Sequence, residues 1–203
     1  MTPEQFQTVT HVSRETLTRL TVYAELLVKW QARINLVGPA TLPDLWRRHM
    51  LDSAQVFPLL PPGSLVDLGS GAGFPGLVLA IMGAGPVHSI ESDARKCAFQ
   101  REVARATGIE VTIHNKRIET VPAFPAAAVV SRALAPLDKL LSLAEPFLAP
   151  HTRCVFLKGR GSEDELTLAG KEWNMTTERI PSLSDPAGTI LLLKEVKRGR
   201  ATR

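Results

Sequence analysis

The chain has 203 residues, of which 44% are hydrophobic and 22% are charged, and its formal net charge at pH 7 is +4. This composition is typical of a globular protein with enough apolar material for one buried core. No apolar run reaches the roughly 20 residues that a membrane-spanning helix needs, and the first residues are neither basic nor apolar enough for a signal peptide, so we expect a cytoplasmic protein.

The N-terminal region has the patterns of helices. Thr2-Pro3-Glu4-Gln5 has the form of a capping box with proline at the first helical position, which predicts a short helix. Apolar residues then recur at three- and four-residue steps from about 13 to 36, and a third helix is predicted from Thr41 to about Leu60. We therefore expect residues 1–62 to be a helical extension packed on the remainder of the chain.

From residue 63 the pattern changes to short apolar runs that alternate with amphipathic segments. The runs predict strands at 65–68, 87–90, 111–113, 129–130 and 154–157, and the segments predict helices at about 75–83, 93–107, 136–148 and 162–170. This alternation is typical of a mostly parallel sheet with helices on both faces. Residues 173–180 and 189–196 predict a C-terminal antiparallel hairpin. We expect a Rossmann-like α/β core over residues 63–203, which forms one structural domain with the extension.

A glycine-rich segment, VDLGSGAGFPG at residues 66–76, follows the first predicted strand and precedes a helix. Its glycines, above all Gly69, Gly71 and Gly73, let the backbone approach a ligand closely, and the helix N-terminus presents amide donors, which indicates a cofactor cradle. The alternative, a tight strand-to-helix turn with no ligand, does not easily explain so many glycines. Residues 71–76 also satisfy the dinucleotide pattern GxGxxG. Asp67 favours S-adenosylmethionine, because its carboxylate would repel a pyrophosphate but hold an α-ammonium group, directly or through water.

An acidic residue is expected at the end of the second strand with either cofactor. Glu91 occupies that position, and we assign it bidentate hydrogen bonds to the ribose hydroxyls. The alternative is that Glu91 or Asp93 only caps the helix that begins near residue 93, and we prefer that role for Asp93.

These motifs resemble the RsmG (GidB) family of small-subunit ribosomal RNA guanine-N7 methyltransferases over nearly the whole chain. The matching strings are NLV at 35–37, HMLDS at 49–53, the glycine-rich segment with its FPG ending, ESDARKC at 91–97, RIE at 117–119, SRA at 131–133 and LKG at 157–159. The resemblance implies a class I S-adenosylmethionine-dependent methyltransferase that modifies the guanine at nucleotide 527, in the 530 loop of 16S ribosomal RNA. It also implies that the cofactor is contacted by Gly69, Phe74, Ile118, Glu119 and Arg132.

The ends of the later strands supply further candidate site residues. In a class I fold, Ile118 is placed to pack on the adenine ring, while backbone groups or Glu119 read its polar edge, unless Glu119 only belongs to a surface turn. Arg132 ends the fourth strand, where the cofactor carboxylate, the target base, an RNA phosphate and a structural ion pair all remain open as its partner. Lys158 and Arg160 follow the fifth strand and are assigned to RNA phosphates or guanine O6, with solvated loop charges as the alternative.

His49, Asp52 and Ser53 share one face of the third predicted helix, since they lie three and four residues apart. That face either lines the substrate pocket, with His49 as a substrate contact, or caps the sheet through buried hydrogen bonds. Guanine N7 already carries a lone pair, so methyl transfer to it needs no base, and catalysis rests on holding the reactants together and keeping water out. Arg132 and Lys158 are the candidate catalytic residues.

The remaining signals concern partners. Cysteine and histidine spacing predicts no metal site, and Cys97 and Cys154 are expected to be reduced, packed thiols. Basic residues in the loop at 158–160 and in the tail favour a polyanionic partner. The tail residues are Lys194, Lys197, Arg198, Arg200 and Arg203. We expect a monomer that acts on 16S ribosomal RNA or a small-subunit precursor. The residues alone leave open a NAD-dependent oxidoreductase, which rests on GxGxxG, and a non-catalytic RNA-binding assembly factor.

Overall fold

A computed structural model describes residues 1–199, and its centre is a mixed sheet. The strands are β1 (Leu65–Leu68), β2 (Val87–Glu91), β3 (Val111–Asn115), β4 (Ala128–Arg132), β5 (Arg153–Lys158), β6 (Trp173–Pro181) and β7 (Thr189–Arg198). Within these residues they form one seven-stranded sheet in the order β3-β2-β1-β4-β5-β7-β6. Strands β1 to β5 are parallel, and β7 lies antiparallel between β5 and β6. The predicted parallel sheet and C-terminal hairpin are therefore confirmed, with β6 at the edge.

Helices follow β1, β2, β4 and β5, as the alternating pattern predicted, whereas β3 is followed by a 3₁₀ turn at Ile118–Thr120. The helices are α4 (Gly76–Ile81), α5 (Ala94–Thr107), α6 (Leu137–Ala144) and α7 (Ser162–Ala169). The chain proceeds from β1 outward to β3 and then returns to the other side of β1 with β4. The loops after β1 and β4 consequently diverge, and in open α/β sheets ligands bind in the crevice that forms at this point.

The N-terminal extension begins with two regular helices, α1 (Pro3–Thr10) and α2 (Arg14–Gln31). The predicted capping box is present, with reciprocal hydrogen bonds between Thr2 and Gln5. The predicted third helix is wrong as a continuous element. The chain instead forms a 3₁₀ helix at Pro39–Asp44, a π-helix at Trp46–Leu51, a short α3 at Asp52–Ala54 and a 3₁₀ turn at Phe57–Leu59. Prolines inside these turns lack the amide donor that a continuous α-helix requires.

The extension packs directly on the glycine-rich segment. Leu20, Tyr23 and Leu27 of α2 are fully buried in one cluster with Phe74, which lies in that segment. The Tyr23 ring stacks on Phe74 with centroids 5.1 Å apart, and its hydroxyl donates to Ala72 O at 2.5 Å. A buried tyrosine hydroxyl needs such a partner, so α2 is specifically matched to this loop.

The described residues also bear on the predictions about membrane spans, metal sites, cysteines and the basic tail. Over residues 1–199, no helix combines the length and apolarity needed to cross a bilayer, and no group of three or more metal-ligating side chains comes together. Both thiols are free and buried, and burial raises the pKa of Cys154 to about 12. Two residues of the basic tail, Arg200 and Arg203, lie outside the described residues.

Candidate cofactor and substrate site

A cavity of about 390 Å³ opens at the carboxyl ends of β1, β2 and β4. Its walls come from the glycine-rich segment, from the end of β2, from the turn after β3 and from the loop after β4. Six of the candidate residues line it: Gly69, Gly71, Glu91, Ile118, Glu119 and Arg132. This first cavity has the size of a small-molecule pocket. The topology thus brings together side chains that are far apart in sequence.

Three other candidates for cofactor contact, Asp67, Gly73 and Phe74, do not line this cavity. Phe74 is 3% exposed and stacks with both Tyr23 and His49, with both centroid separations at 5.1 Å. Gly73 has a φ of +94°, and a Cβ there would lie 2.4 Å from Leu77 Cδ1. Close packing around this glycine therefore explains the residue without any ligand.

Asp67 differs most from its expected role. The side chain is completely buried, its Oδ2 accepts a hydrogen bond from Gly76 N at 2.8 Å, and its Oδ1 has no partner among residues 1–199. Burial raises the pKa of this carboxyl to about 7, against the opposing effect of the Gly76 hydrogen bond. The Asp67 carboxylate has no exposed surface and does not line the cavity, and it ties the start of α4 to β1 instead.

The backbone amides of the glycine-rich segment are used within the protein. Ser70 N donates to Ile90 O, Gly73 N and Phe74 N both donate to Ser70 O, and Gly76 N is bound by Asp67. Gly71 N donates to the Glu91 carboxylate at 2.9 Å. The expected set of amide donors aimed at an anionic ligand is therefore largely occupied. A pyrophosphate site of the dinucleotide type relies on such free donors.

Gly71 is one of the two glycines of this segment that line the cavity. It has a φ of +58°, which favours glycine, and a Cβ there would meet nothing nearer than Gly69 O at 4.0 Å. Because Gly71 also lines the cavity, any side chain at this position would project into open space that a ligand can use. A side chain at this position would therefore meet no protein atom closely but would occupy part of the cavity.

Glu91 is fixed by backbone groups at the cavity wall. One carboxylate oxygen accepts from Gly71 N and the other accepts from Asp93 N at 2.7 Å. Asp93 itself caps α5 by accepting from Arg95 N at 2.8 Å and Lys96 N at 3.4 Å, as we preferred for it. Glu91 therefore presents a carboxylate of defined orientation to the cavity.

A second cavity of about 290 Å³ adjoins the first, and Arg132 and Ala133 line both. His49, Asp52 and Lys158 also line the second cavity, whereas Ser53 is fully buried and does not line it. The Arg132 guanidinium pairs with Asp52 at 3.4 Å and lies 4.9 Å from the centre of the Phe74 ring. The ion pair that the sequence left open is thus present, and it stands at the boundary of the two cavities.

Lys158 is turned toward the protein. Its Nζ donates to Ala135 O at 2.7 Å and lies 2.6 Å from Glu165, and only 7% of its side chain is exposed. Glu165 in turn accepts from Leu137 N, the first amide of α6. Lys158 therefore ties the loop after β4 to α7, which is a different role from the expected phosphate contact. Arg160 is exposed on the loop after β5 and lines neither cavity.

Two polar residues that support the site were not identified from the sequence. Gln100 of α5 is fully buried and donates to Ser70 Oγ and to Gly71 O, both at 2.8 Å. Tyr23 supports the other side of the segment through Ala72 O. A signal for Gln100 existed, because it stands three residues from both Cys97 and Val103 on the apolar face of its helix.

The sequence matches known relatives over almost its whole length. Residues 16–191 match the family described as rRNA small subunit methyltransferase G. The chain is 66% identical to the ribosomal RNA small subunit methyltransferase G of Paramagnetospirillum magneticum, over 99% of both chains. It is 54% identical to the protein of the same name from Rhodospirillum rubrum, over 98% of this chain and all of that one.

Solved structures with a similar fold are distant in sequence. A ribosomal protein L11 methylase from Lactobacillus delbrueckii subsp. bulgaricus superposes with a TM-score of 0.55 at 17% identity, over 74% of this chain and 76% of that one. A TehB-like SAM-dependent methyltransferase from Corynebacterium glutamicum gives 0.56 at 15% identity, over 78% of this chain and all of that one. These likenesses confirm the predicted Rossmann-like fold.

Proposed function

Because this chain belongs to the family of rRNA small subunit methyltransferases G, as its motifs predicted, we propose that it transfers a methyl group from S-adenosylmethionine to guanine N7 at nucleotide 527 of 16S ribosomal RNA. The observation that carries the proposal is the first cavity, in which the Gly71 backbone and the Glu91 carboxylate form one hydrogen-bonded wall. A cavity of about 390 Å³ is sufficient for a nucleoside-sized ligand.

The residues of the first cavity fit an adenosine-containing cofactor that lacks a pyrophosphate. Glu91 offers a carboxylate for the two ribose hydroxyls. Ile118 offers an apolar surface for the adenine ring, and Glu119 lies beside it as an acceptor for polar groups at the ring edge. A dinucleotide fits less well, since two carboxylates, at 67 and 91, already take the amides that would bind its phosphates.

The reaction requires little acid–base catalysis from the protein. S-adenosylmethionine supplies a methyl group activated by the positive sulfur, and guanine N7 supplies its own lone pair. The side chains have to hold the cofactor and the guanine in the correct relative position and to exclude water. Such positioning can lower the reaction barrier by several kcal/mol. We propose Arg132 as the catalytic residue that meets both ligands, and Lys158 as the residue that keeps the loop after β4 in place.

Methyl incorporation tests the proposed function. The protein should transfer labelled methyl groups from S-adenosylmethionine to 16S RNA, or to small subunits, from cells that lack it, and mapping should place the label at guanine 527. S-adenosylhomocysteine should bind in calorimetry, and NAD should not. Cofactor binding without incorporation into either substrate would leave an RNA-binding factor, and NAD binding without a response to S-adenosylhomocysteine would leave an oxidoreductase.

Four cations besides Arg132 line the first cavity. They are Lys96, Lys116, Arg117 and Lys139. The three lysines form no ion pair with any acidic side chain of residues 1–199. Unpaired cations at the entrance of a pocket attract a polyanion, so we propose that RNA phosphates lie across this rim.

Charge reversal at the rim should weaken RNA binding selectively. We expect Lys116→Glu and Lys139→Glu each to raise the KM for RNA about tenfold and to reduce its salt dependence by roughly one phosphate contact. The matched control is Lys171→Glu, because Lys171 is exposed before β6, at the opposite edge of the sheet. Equal effects of the three variants on KM would refute the proposed RNA path.

We further infer the setting in which the protein works. Its proposed substrate, 16S ribosomal RNA or a small-subunit precursor, places it in the cytoplasm. The extension at 1–62 and the core at 63–203 share the buried cluster around Tyr23 and Phe74, which supports one structural domain. We expect that unit to act as a monomer.

A further inference from the structure

One guanidinium nitrogen of Arg132 is committed to the extension. Arg132 Nη1 lies 3.2 Å from Arg48 O, 3.0 Å from His49 Nδ1 and 3.4 Å from Asp52 Oδ2. The other two nitrogens, Nε and Nη2, have no hydrogen-bond acceptor among residues 1–199. Because Arg132 lines both cavities, these two nitrogens are the ones left to serve ligands.

The hydrogen-bond pattern around His49 fixes its tautomer. Thr41 Oγ1 donates its hydrogen to Gly38 O at 2.7 Å, so it faces His49 Nε2, also at 2.7 Å, as an acceptor. His49 Nε2 must then carry the ring hydrogen, which leaves a lone pair on Nδ1. That lone pair is what Arg132 Nη1 meets.

The surroundings of His49 also keep the ring neutral. Only 6% of the residue is exposed, and the ring stacks on Phe74. Burial, followed by the charges of Arg132 and Arg48, lowers the pKa of His49 to about 3. A protonated His49 would turn an N–H toward the Arg132 guanidinium, and the hydrogen bond would be lost.

We propose that His49 is a positioning residue for Arg132: its Nδ1 lone pair, together with Asp52, holds Nη1 so that the remaining guanidinium donors face ligands in both cavities. The inference rests on the proposed function, because it takes the two cavities as the cofactor site and the nucleobase site. A planar guanidinium that is fixed at one nitrogen has little freedom at the other two. His49 thereby sets how the two ligands lie relative to each other, on which methyl transfer depends.

Two substitutions at His49 separate positioning from packing. His49→Asn retains an acceptor near the place of Nδ1, whereas His49→Gln reaches the place of Nε2 beside Thr41 and leaves Arg132 without this acceptor. Both variants lose the stacked ring, so the change in packing is common to them. The readouts are the Kd of S-adenosylhomocysteine by calorimetry, and kcat and KM for methylation of small-subunit RNA.

For His49→Asn, we expect the Kd of S-adenosylhomocysteine and kcat/KM to stay within about threefold of the wild-type values. For His49→Gln, we expect S-adenosylhomocysteine binding and kcat/KM to be weakened by about tenfold or more, because the lost hydrogen bond involves a charged group. Equal losses in both variants, or none in either, would overturn the proposal and assign His49 to packing alone. Thermal unfolding of both variants shows whether a loss reflects misfolding.

Nitrogen-15 NMR of the imidazole gives a test that needs neither a variant nor RNA. The unmodified protein should show His49 with the hydrogen on Nε2 and a bare Nδ1 at pH 7. A hydrogen on Nδ1 would overturn the proposal, whatever the methylation assay shows. If the unmodified protein does not methylate RNA, the proposed function fails, while calorimetry and NMR still decide the role of His49.

Discussion

Gly71→Arg should abolish cofactor binding and methyl transfer. Gly71 lines the first cavity, its φ is +58°, and a Cβ there points into space that is open to 4.0 Å. An arginine side chain would occupy that space and place a cation beside Glu91, the carboxylate assigned to the ribose. We expect the affinity for S-adenosylhomocysteine in calorimetry, and kcat/KM for RNA, to fall by at least about a hundredfold.

A matched pair of alanine variants separates the effect of filling the cavity from the effect of straining the backbone. Gly108 at the end of α5 has a φ of +66°, and a Cβ there would have no neighbouring atom within 4 Å, so alanine at 71 and at 108 should each cost about 1 to 2 kcal/mol of stability. Only Gly71→Ala should also weaken S-adenosylhomocysteine binding. Retention of full binding by Gly71→Arg would contradict the assignment of the first cavity to the cofactor.

The sequence predicted the core better than the extension, for a physical reason. Each parallel strand contains a short segment rich in β-branched or other apolar residues, and the local pattern alone identified all of them. Between residues 39 and 59, the backbone instead alternates between 3₁₀ and π turns. Contacts of His49 with Phe74 and Arg132 from the core stabilise this path, and such contacts are invisible to helical periodicity.

The sequence predicted which residues belong to the candidate site, but not always what each of them does. Glu91, Ile118 and Glu119 follow strand ends, and strand ends meet at one edge of a parallel sheet, so their position along the chain sufficed. The direction in which a charge points depends on partners from other elements. Lys158 meets Glu165 of α7, and Asp67 meets Gly76 N, and neither pairing has a sequence signature.

Asp67 leads to the largest expected effect on stability, and this effect depends on pH. Burial raises its pKa from 3.8 to about 7, so between these values the folded protein binds a proton that the unfolded chain releases. The stabilising contribution is complete below pH 3.8 and is lost as the pH rises through about 7. The displacement corresponds to about 4 kcal/mol as an upper estimate.

Asp67→Asn should remove this dependence, because asparagine accepts from Gly76 N without ionising. Urea unfolding from pH 4 to 8 should show the variant gaining stability relative to the unmodified protein by up to about 1.4 kcal/mol per pH unit, with a plateau above about pH 7. Asp164→Asn is the control, since Asp164 is exposed on α7 and has no ion pair among residues 1–199. A constant difference between Asp67→Asn and the unmodified protein would show that Asp67 is ionised throughout.

The stability of Asp67→Asn must be compared with that of the wild-type protein, because the titration of His49 changes stability with pH in the opposite direction. Its pKa is lowered from 6.5 to about 3, so its contribution is present above pH 6.5 and is lost as the pH falls toward 3. Over the pH range in which the contribution of Asp67 to the free energy of unfolding falls with rising pH, the contribution of His49 increases, and the two slopes nearly cancel. A flat pH profile of the unmodified protein is therefore consistent with two strongly perturbed groups, and subtracting it from the Asp67→Asn profile isolates the carboxyl.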